Sequence, residues 1–420
     1  MKEICLLNES FPPEIDGVAN VMQSYARVLG HQNIPVSVLT PKHPDALDSA
    51  FCFPVLRYPS VDMRKRFGYM AGVPFSFRPY TLLKERNVGL LHSHCPISSN
   101  LIARSLRVSL GVPFVMTYHT LFDIEIRKYV HQEWLQKAAV RLLLGSVSAC
   151  DEVWTVNHST GKHLQEMGYE GDYVVMGNGV DMPKGRLPED EIRACTKKYP
   201  LPSETPVFLY VGRLLWYKGI RVTLDALAVL SARGLDFRMV FVGDGSDEKE
   251  IKQAVQQLGL ENKCFFTGPV IDRREVRAWY CRADLLLFPS VFDTSSLTIK
   301  EAAAAHTASV LIRGSCTAEG TIDRQNSFLI ENDAASMAEC LETLLRDRRQ
   351  ILYAGENAAE TLYVSWDDAV MKAINRYQLV MENHAAGKYE GRREGFFRME
   401  AGIDRLFGAA FNRKDQSKMK

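Results

Sequence analysis

The sequence predicts an α/β chain of two doubly wound domains in tandem, each a parallel sheet covered by helices, facing one another across an interdomain cleft. Three observations carry this expectation. Short apolar runs alternate with stretches of helical periodicity, the alternation occurs in two successive series, and a proline- and charge-rich stretch separates them. At 420 residues the chain also exceeds the size at which one core keeps growing.

The first series opens on EICLLN, whose continuous apolar character suits a strand buried on both faces. An amphipathic stretch from Gly17 to Leu29 follows, then the strands IPVSVLT, VGLLHSH, VPFVMTY and DEVWTVN. PKGRLPEDEIRACTKKYPLPSETP has the composition of a surface linker. The second series comprises PVFLYVG, FRMVFVG, KCFFTG, DLLLFPS and ASVLIRG. From Trp366 to about His384 the pattern is helical, and the tail that follows is basic with interspersed aromatics. These readings place domains at 1–182 and 207–365, a linker at 183–206, and C-terminal helices with a basic tail at 366–420. Flexible Gly179, in GNGVD, falls where the chain is expected to cross between domains, and reads as a hinge or as an ordinary turn.

Composition excludes several classes. The net charge of +1 gives no global field for nucleic acid, so none is expected as a partner. Nine cysteines, at 5, 52, 95, 150, 195, 264, 281, 316 and 340, contain no C-x-x-C pair and read as buried thiols of a reducing cytosol. No apolar stretch approaches the roughly 20 residues of a membrane span, and the chain enters a strand almost at once, so neither export nor a span is expected. His92 and His94 share a strand face beside Cys95, but no second cluster with zinc spacing follows.

Anion chemistry concentrates in the second series. In VGRLLWYKG, Arg213 and Lys218 follow an apolar strand, and a guanidinium plus an ammonium suits a diphosphate. A pair of solvated turn cations has the same spacing. From Phe288 the chain reads FPSVFDTSSLTIKEA: a strand ends near Pro289, Asp293 sits in a loop, and a helix starting near Ser295 leaves the N–H groups of Ser296, Leu297 and Thr298 for a phosphate. Asp293 and Glu301 offer acceptors for sugar and ribose hydroxyls; helix capping by Asp293 or Thr294 is the competing and compatible use. VGDG lacks the last glycine of a dinucleotide fingerprint, which argues against an oxidoreductase.

Eight pieces in order, FPPEIDGVA, HSHCP, TYHT, GNGVD, VGRLLWYKG, VGDG, FTGPV and Asp293 to Glu301, make the chain resemble the family 4 glycosyltransferases of GT-B fold, over nearly its whole length. The resemblance implies two Rossmann-like domains, an N-terminal one on the acceptor side and a C-terminal one binding the nucleotide sugar. It implies retaining hexosyl transfer without a metal ion or other cofactor. Carried over by position, Gly17 lies against the donor diphosphate, His119 lines the sugar subsite, Arg213 and Lys218 bind phosphate, Val270 borders the base and Glu301 holds the ribose. Together with Asp293 at the hexose, His119, Arg213 and Lys218 form the expected catalytic set. Three positions depart from the family: Asp293 stands where glutamate is usual, Asp16-Gly17 replaces paired glycines, and RGSCTAEG aligns only at Glu319 and Gly320. Asp16 is assigned to the acceptor side.

FPPEIDGVA and TYHT are similar to bacterial diacylglycerol glucosyltransferases, which implies UDP-glucose as donor and a membrane glycerolipid as acceptor. A soluble or polymer sugar acceptor, or donor binding without catalysis, are the alternatives. DMRKRFGYM at 62–70, the stretch from Ile126 to Gly145, and the tail pattern Phe396, Met399, Ile403, Phe407 and Phe411 mix cations with apolar residues. They suit either an anionic membrane surface, hence a cytoplasmic protein peripheral on the inner face of the cell membrane, or solvated faces and ordinary packing.

Overall fold

The computed structural model describes residues 2–14, 16–64, 69–295 and 297–389. The chain divides into two compact units, 1–178 with 366–420, and 179–365. Each is a parallel α/β layer structure.

The first unit is built on a seven-stranded sheet of order β3-β2-β1-β6-β7-β8-β9. Its strands are β1 (Glu3–Leu7), β2 (Val36–Pro41), β3 (Val55–Tyr58), β6 (Val88–Ser93), β7 (Phe114–Tyr118), β8 (Glu152–Thr155) and β9 (Tyr173–Val175), all paired in parallel. A small antiparallel pair, β4 (Ser60–Asp62) and β5 (Met70–Gly72), stands apart from it. Central strands read as unbroken apolar runs because both faces are covered: every residue of EICLL is buried. The covering helices include α1 (Gly17–His31), α2 (Arg78–Leu83), α3 (Ser98–Leu110), α4 (Phe122–Tyr129), α5 (Glu133–Ser148) and α6 (His158–Glu166).

The second unit carries a six-stranded parallel sheet of order β12-β11-β10-β13-β14-β15. Its elements run α7 (Glu189–Thr196), β10 (Val207–Val211), α8 (Ile220–Ala232), β11 (Arg238–Val242), α9 (Glu248–Gln257), β12 (Cys264–Gly268), α10 (Arg273–Arg282), β13 (Leu285–Phe288), α11 (Leu297–Ala304), β14 (Ala308–Ile312), β15 (Phe328–Ile330), α12 (Ala334–Arg346) and α13 (Arg349–Thr361). The strand order reverses between β1 and β6 in one sheet and between β10 and β13 in the other. In open parallel sheets those reversals, at the carboxyl ends of the strands, are where ligand-binding loops diverge.

Two expectations about organisation change. The stretch 183–206 is no bare linker: it belongs to the second unit and forms α7, whose Ile192 is buried in that unit's core. The C-terminal helix α14 (Trp366–Ala385) belongs with the first unit rather than standing alone. It docks through chemistry the linear pattern did not reveal. Arg376 grips Glu152 with two hydrogen bonds of 2.8 Å, Tyr377 stacks on Trp154 at 5.2 Å, and the Tyr377 hydroxyl meets His92 Nδ1 at 2.6 Å. The chain therefore leaves the first unit after Asn178, beside Gly179, and re-enters it at Trp366. Nor are all thiols buried: Cys5, Cys95, Cys150, Cys264 and Cys281 are, but Cys52 is exposed.

Candidate active site

In the second unit the loops after β10 and β13, the strands that flank the reversal, converge because glycines allow it. Gly219 has φ +80, and a Cβ there would lie 2.0 Å from the Pro289 carbonyl oxygen. Only glycine lets the β10 loop seat on the end of β13. VGDG serves the same close packing: a Cβ on Gly243 would lie 2.2 Å from the Gly212 oxygen, and one on Gly245 2.3 Å from that of Leu214. Asp247 then accepts the Trp216 N–H at 2.8 Å and Glu250 the Trp216 indole N–H at 3.0 Å, fixing the loop from below.

This seating brings Lys218 Nζ to 2.5 Å from Asp293 Oδ1. Both side chains are largely withdrawn from solvent, 12% and 22% exposed. The second carboxylate oxygen of Asp293 is buried and has no hydrogen-bond partner among the described residues. A buried charged acceptor without a donor is costly, and a hydroxyl-bearing ligand would satisfy it. Arg213, on the same loop, is exposed and reaches the Tyr217 hydroxyl at 3.5 Å rather than an acid. Tyr217 in turn meets Phe292 edge-on, ring centroids 5.4 Å apart, so an aromatic pair borders the Lys218–Asp293 contact.

Helix α11 is described from Leu297; Leu297 and Thr298 are half-buried at the beginning of that range, and Ser296 lies outside the described residues. Glu301, on this helix, is buried and already held: Arg273 pairs with its Oε1 and the Tyr280 hydroxyl donates to Oε2 at 2.9 Å. Each carboxylate oxygen keeps a further lone pair for a ligand. Burial, and then the Glu301 charge, push the Tyr280 phenol above its ordinary range. Val270 is half-buried against the core just beyond Gly268, whose φ is +74. Sequence reasoning missed Arg273 and Tyr280, though their seven-residue spacing on α10 puts both on one face, two turns apart. It also missed Lys300, whose amine burial lowers to about 8.

In the first unit the loops after β6 and β7 bring His94 and His119 together. His94 Nδ1 and His119 Nε2 share a hydrogen bond of 2.9 Å, with the rings stacked. Burial keeps His92, His94 and His119 neutral at ordinary pH, His119 being lowered to about 3. His92 has both ring nitrogens engaged, by the Tyr377 hydroxyl and by Thr117 Oγ1 at 2.8 Å, so it belongs to the packing of α14. Among the described residues no group of three or more His, Cys, Asp or Glu is arranged to hold a metal ion.

Asp16 is the N-cap of α1, accepting the Ala19 N–H at 2.7 Å, and is exposed. Gly17 begins the helix, and a Cβ there would meet nothing within 4 Å. Among the described residues nothing in the packing demands this glycine. A residue not singled out from the sequence, Glu9, anchors the loop behind them: its buried carboxylate accepts the Ser99 N–H at 2.5 Å and the Gly72 N–H at 3.4 Å. Burial raises its pKa against the opposing effect of those hydrogen bonds.

Two Rossmann-like parallel sheets in one chain are the architecture of the GT-B fold. The crystal structure of HepE from Anabaena in complex with UDP shares this fold, with a TM-score of 0.75 over 90% of this chain and all of that one at 17% identity. Family models agree along the sequence. The one described as Glycosyltransferase Family 4 matches residues 15–183 and that described as Glycosyl transferases group 1 matches 205–347. Together they take in more than half of the chain, which belongs to the family 4 glycosyltransferases. Among its relatives, the alpha-monoglucosyldiacylglycerol synthase of Streptococcus pneumoniae is 23% identical over 72% of this chain and 69% of its own length. The 2-deoxystreptamine glucosyltransferase of Streptomyces kanamyceticus is 25% identical over 61% of this chain and 65% of its own.

Proposed function

We propose that this glycosyltransferase moves glucose from UDP-glucose to a membrane glycerolipid such as diacylglycerol, with retention of the anomeric configuration and without a metal ion. The observation that carries the donor reading is the Lys218–Asp293 contact with its unsatisfied Asp293 oxygen. Such a pair is complementary to a sugar diphosphate: Lys218 turns to phosphate while Asp293 accepts hexose hydroxyls. Arg213, exposed on the same loop, joins Lys218 at the diphosphate, the first-turn amides of Leu297 and Thr298 complete the anion site, Glu301 takes the ribose, and Val270 borders the base. Gly17, with open space where a side chain would be, suits close approach of the diphosphate. His119 serves the sugar subsite as a neutral imidazole.

In the reaction the bond from the anomeric carbon to the phosphate oxygen breaks, and the acceptor oxygen bonds to the same face of the sugar. The acceptor's proton passes to the departing phosphate oxygen, giving UDP. Lys218, Arg213 and the helix amides stabilise charge growing on the leaving group. Asp16 is assigned to the acceptor side in addition to its capping bond. The lipid acceptor, and peripheral attachment to the cytoplasmic face of the membrane, are supported by likeness to a lipid glucosyltransferase. Likeness to an aminocyclitol glucosyltransferase favours a second reading, transfer to a soluble acceptor with the same donor machinery.

The test is a screen of radiolabelled UDP- and GDP-sugars against membrane lipid extract and against soluble aminocyclitols, with chelator present, and chromatography of the products. A chelator-insensitive, UDP-glucose-dependent glycolipid with the α-anomeric linkage is the expected result. A product only from the soluble acceptors would replace the lipid reading, and donor binding without any turnover or hydrolysis would refute catalysis.

A further inference from the structure

The first unit exposes large apolar side chains on two neighbouring helices. On α5, Trp134 is 69% and Leu142 67% exposed, and with Ala138 they form a stripe at i, i+4 and i+8, about 12 Å long. Leu135 is exposed beside them. On α3, Leu101 and Val108 lie on one side, with Ile97 at the helix start in line with them, and all three are exposed. The helices are tied together by the Asn100 amide, which donates to the Ser146 carbonyl and hydroxyl at 2.8 Å.

Charge selects the partner. Between Ile97 and Leu110, and between Trp134 and Ser148, there are four Lys or Arg and no Asp or Glu. Arg104 and Arg107 turn inward, Arg107 onto Asp151, which leaves Lys137 and Arg141 exposed along the apolar stripe. The nearest acid is Glu133, at the first position of α5, 2.7 Å from Lys137. We infer that this face of the first unit, Trp134, Leu142, Leu135, Leu101 and Val108 with Lys137 and Arg141, lies on an anionic lipid bilayer. An indole and leucines entering the headgroup boundary with ammonium and guanidinium groups at lipid phosphate is the arrangement of an interfacial helix. Pairing of the face with a second copy sets its cations against each other, since a two-fold contact juxtaposes like surfaces.

The placement matters for the reaction. In a parallel sheet a helix that follows a strand begins at the carboxyl edge and one that leads into a strand ends at the amino edge, so Ile97 and Leu101 at the start of α3, and Trp134 at the start of α5, which runs on into β8, lie toward the edge that carries His94 and His119. A surface seated there holds a lipid headgroup near the acceptor side. That consequence rests on the lipid-acceptor reading above; the membrane face itself does not.

The experiment uses the full chain and flotation with phosphatidylcholine vesicles, with and without phosphatidylglycerol, over a range of salt. Wild type is expected to float with phosphatidylglycerol vesicles and to be released by salt. Trp134→Ser with Leu142→Ser, and separately Lys137→Glu with Arg141→Glu, lower vesicle partitioning on the order of tenfold or more. Leu352→Ser with Tyr353→Ser, an exposed pair on the second unit, leaves it unchanged. UDP affinity, measured in parallel, stays at the wild-type value in every variant. Wild-type flotation by both double variants overturns the inference, as does its loss only on deleting residues 391–420. A wild-type dimer that the double variants dissociate, without vesicle binding, overturns it in favour of self-association. Failure of wild type to bind UDP sinks the donor reading and leaves the membrane face standing.

Discussion

At Gly219 a single missing methyl decides whether two loops meet. Gly219→Ala would place a carbon at 2.0 Å from a carbonyl oxygen at a positive φ, so the loop must lift off β13 and carry Lys218 away from Asp293. The expected outcome is loss of UDP affinity of at least roughly tenfold with the far-ultraviolet dichroism of the wild type, measured by calorimetry. Lys218→Ala keeps the loop but removes the cation, and turnover at saturating UDP-glucose should fall on the order of a hundredfold. Near-wild-type turnover would remove Lys218 from the leaving-group site. Much at this scale was legible in the sequence. VGRLLWYKG and FPSVFDTSS read as loops after apolar strands, which makes Arg213 with Lys218 a cationic pair and Asp293 a separate acceptor; the contact between Lys218 and Asp293 is visible only in the fold. What the sequence concealed was who already holds each group. Glu301 lies under Arg273 and Tyr280, and Asp16 caps its helix, because hydrogen-bond partners are set by tertiary approach and leave little trace in local pattern.

Elements were legible where periodicity was long or burial complete. EICLL and LLLF are buried throughout and stood out as runs, whereas β9 and β15, three residues each, are too short for a period to register. The eight residues of α7, rich in charge and flanked by prolines, looked like linker for the same reason. The 20 residues of α14 were plainly helical, but nothing local announced which sheet they cover. Its anchors predict the cost of disturbing it. Tyr377→Phe strips the hydroxyl from His92 Nδ1 in a buried site, which should destabilise the first unit by about 1–3 kcal/mol. Tyr377→Ala also empties the space against Trp154 and should cost about 3–5 kcal/mol. Urea titration followed by tryptophan fluorescence would read both, and equal midpoints for the two variants would contradict the packing role.

For the molecule as a whole, acid is the informative perturbation. His92, His94 and His119 titrate in the folded first unit below their unfolded value of about 6.5, because burial disfavours the cation. The unfolded chain thus binds more protons in that range, and the stability they contribute is present above about pH 6.5 and lost as pH falls toward 3. His163 opposes this. Its hydrogen bond to Asp123 raises it, so its contribution is complete below its unfolded value and fades as pH rises through the raised one. His43, also lowered chiefly by burial, adds to the three, and four groups against one predict a thermal midpoint for the first unit that drops between pH 7 and 5, and a shallower drop in His119→Gln, by calorimetry. A steeper slope in that variant would reverse the assignment. The chain's return at Trp366 also bears on how the protein is made. His92, Trp154 and Tyr25 finish emerging from the ribosome while their cover, Trp366 and Tyr377, is still some two hundred codons away, roughly ten to forty seconds at usual elongation speed. The second unit can mature during that delay, and the first is finished only after it, which makes nascent chains stalled before Trp366 natural clients of a holding chaperone.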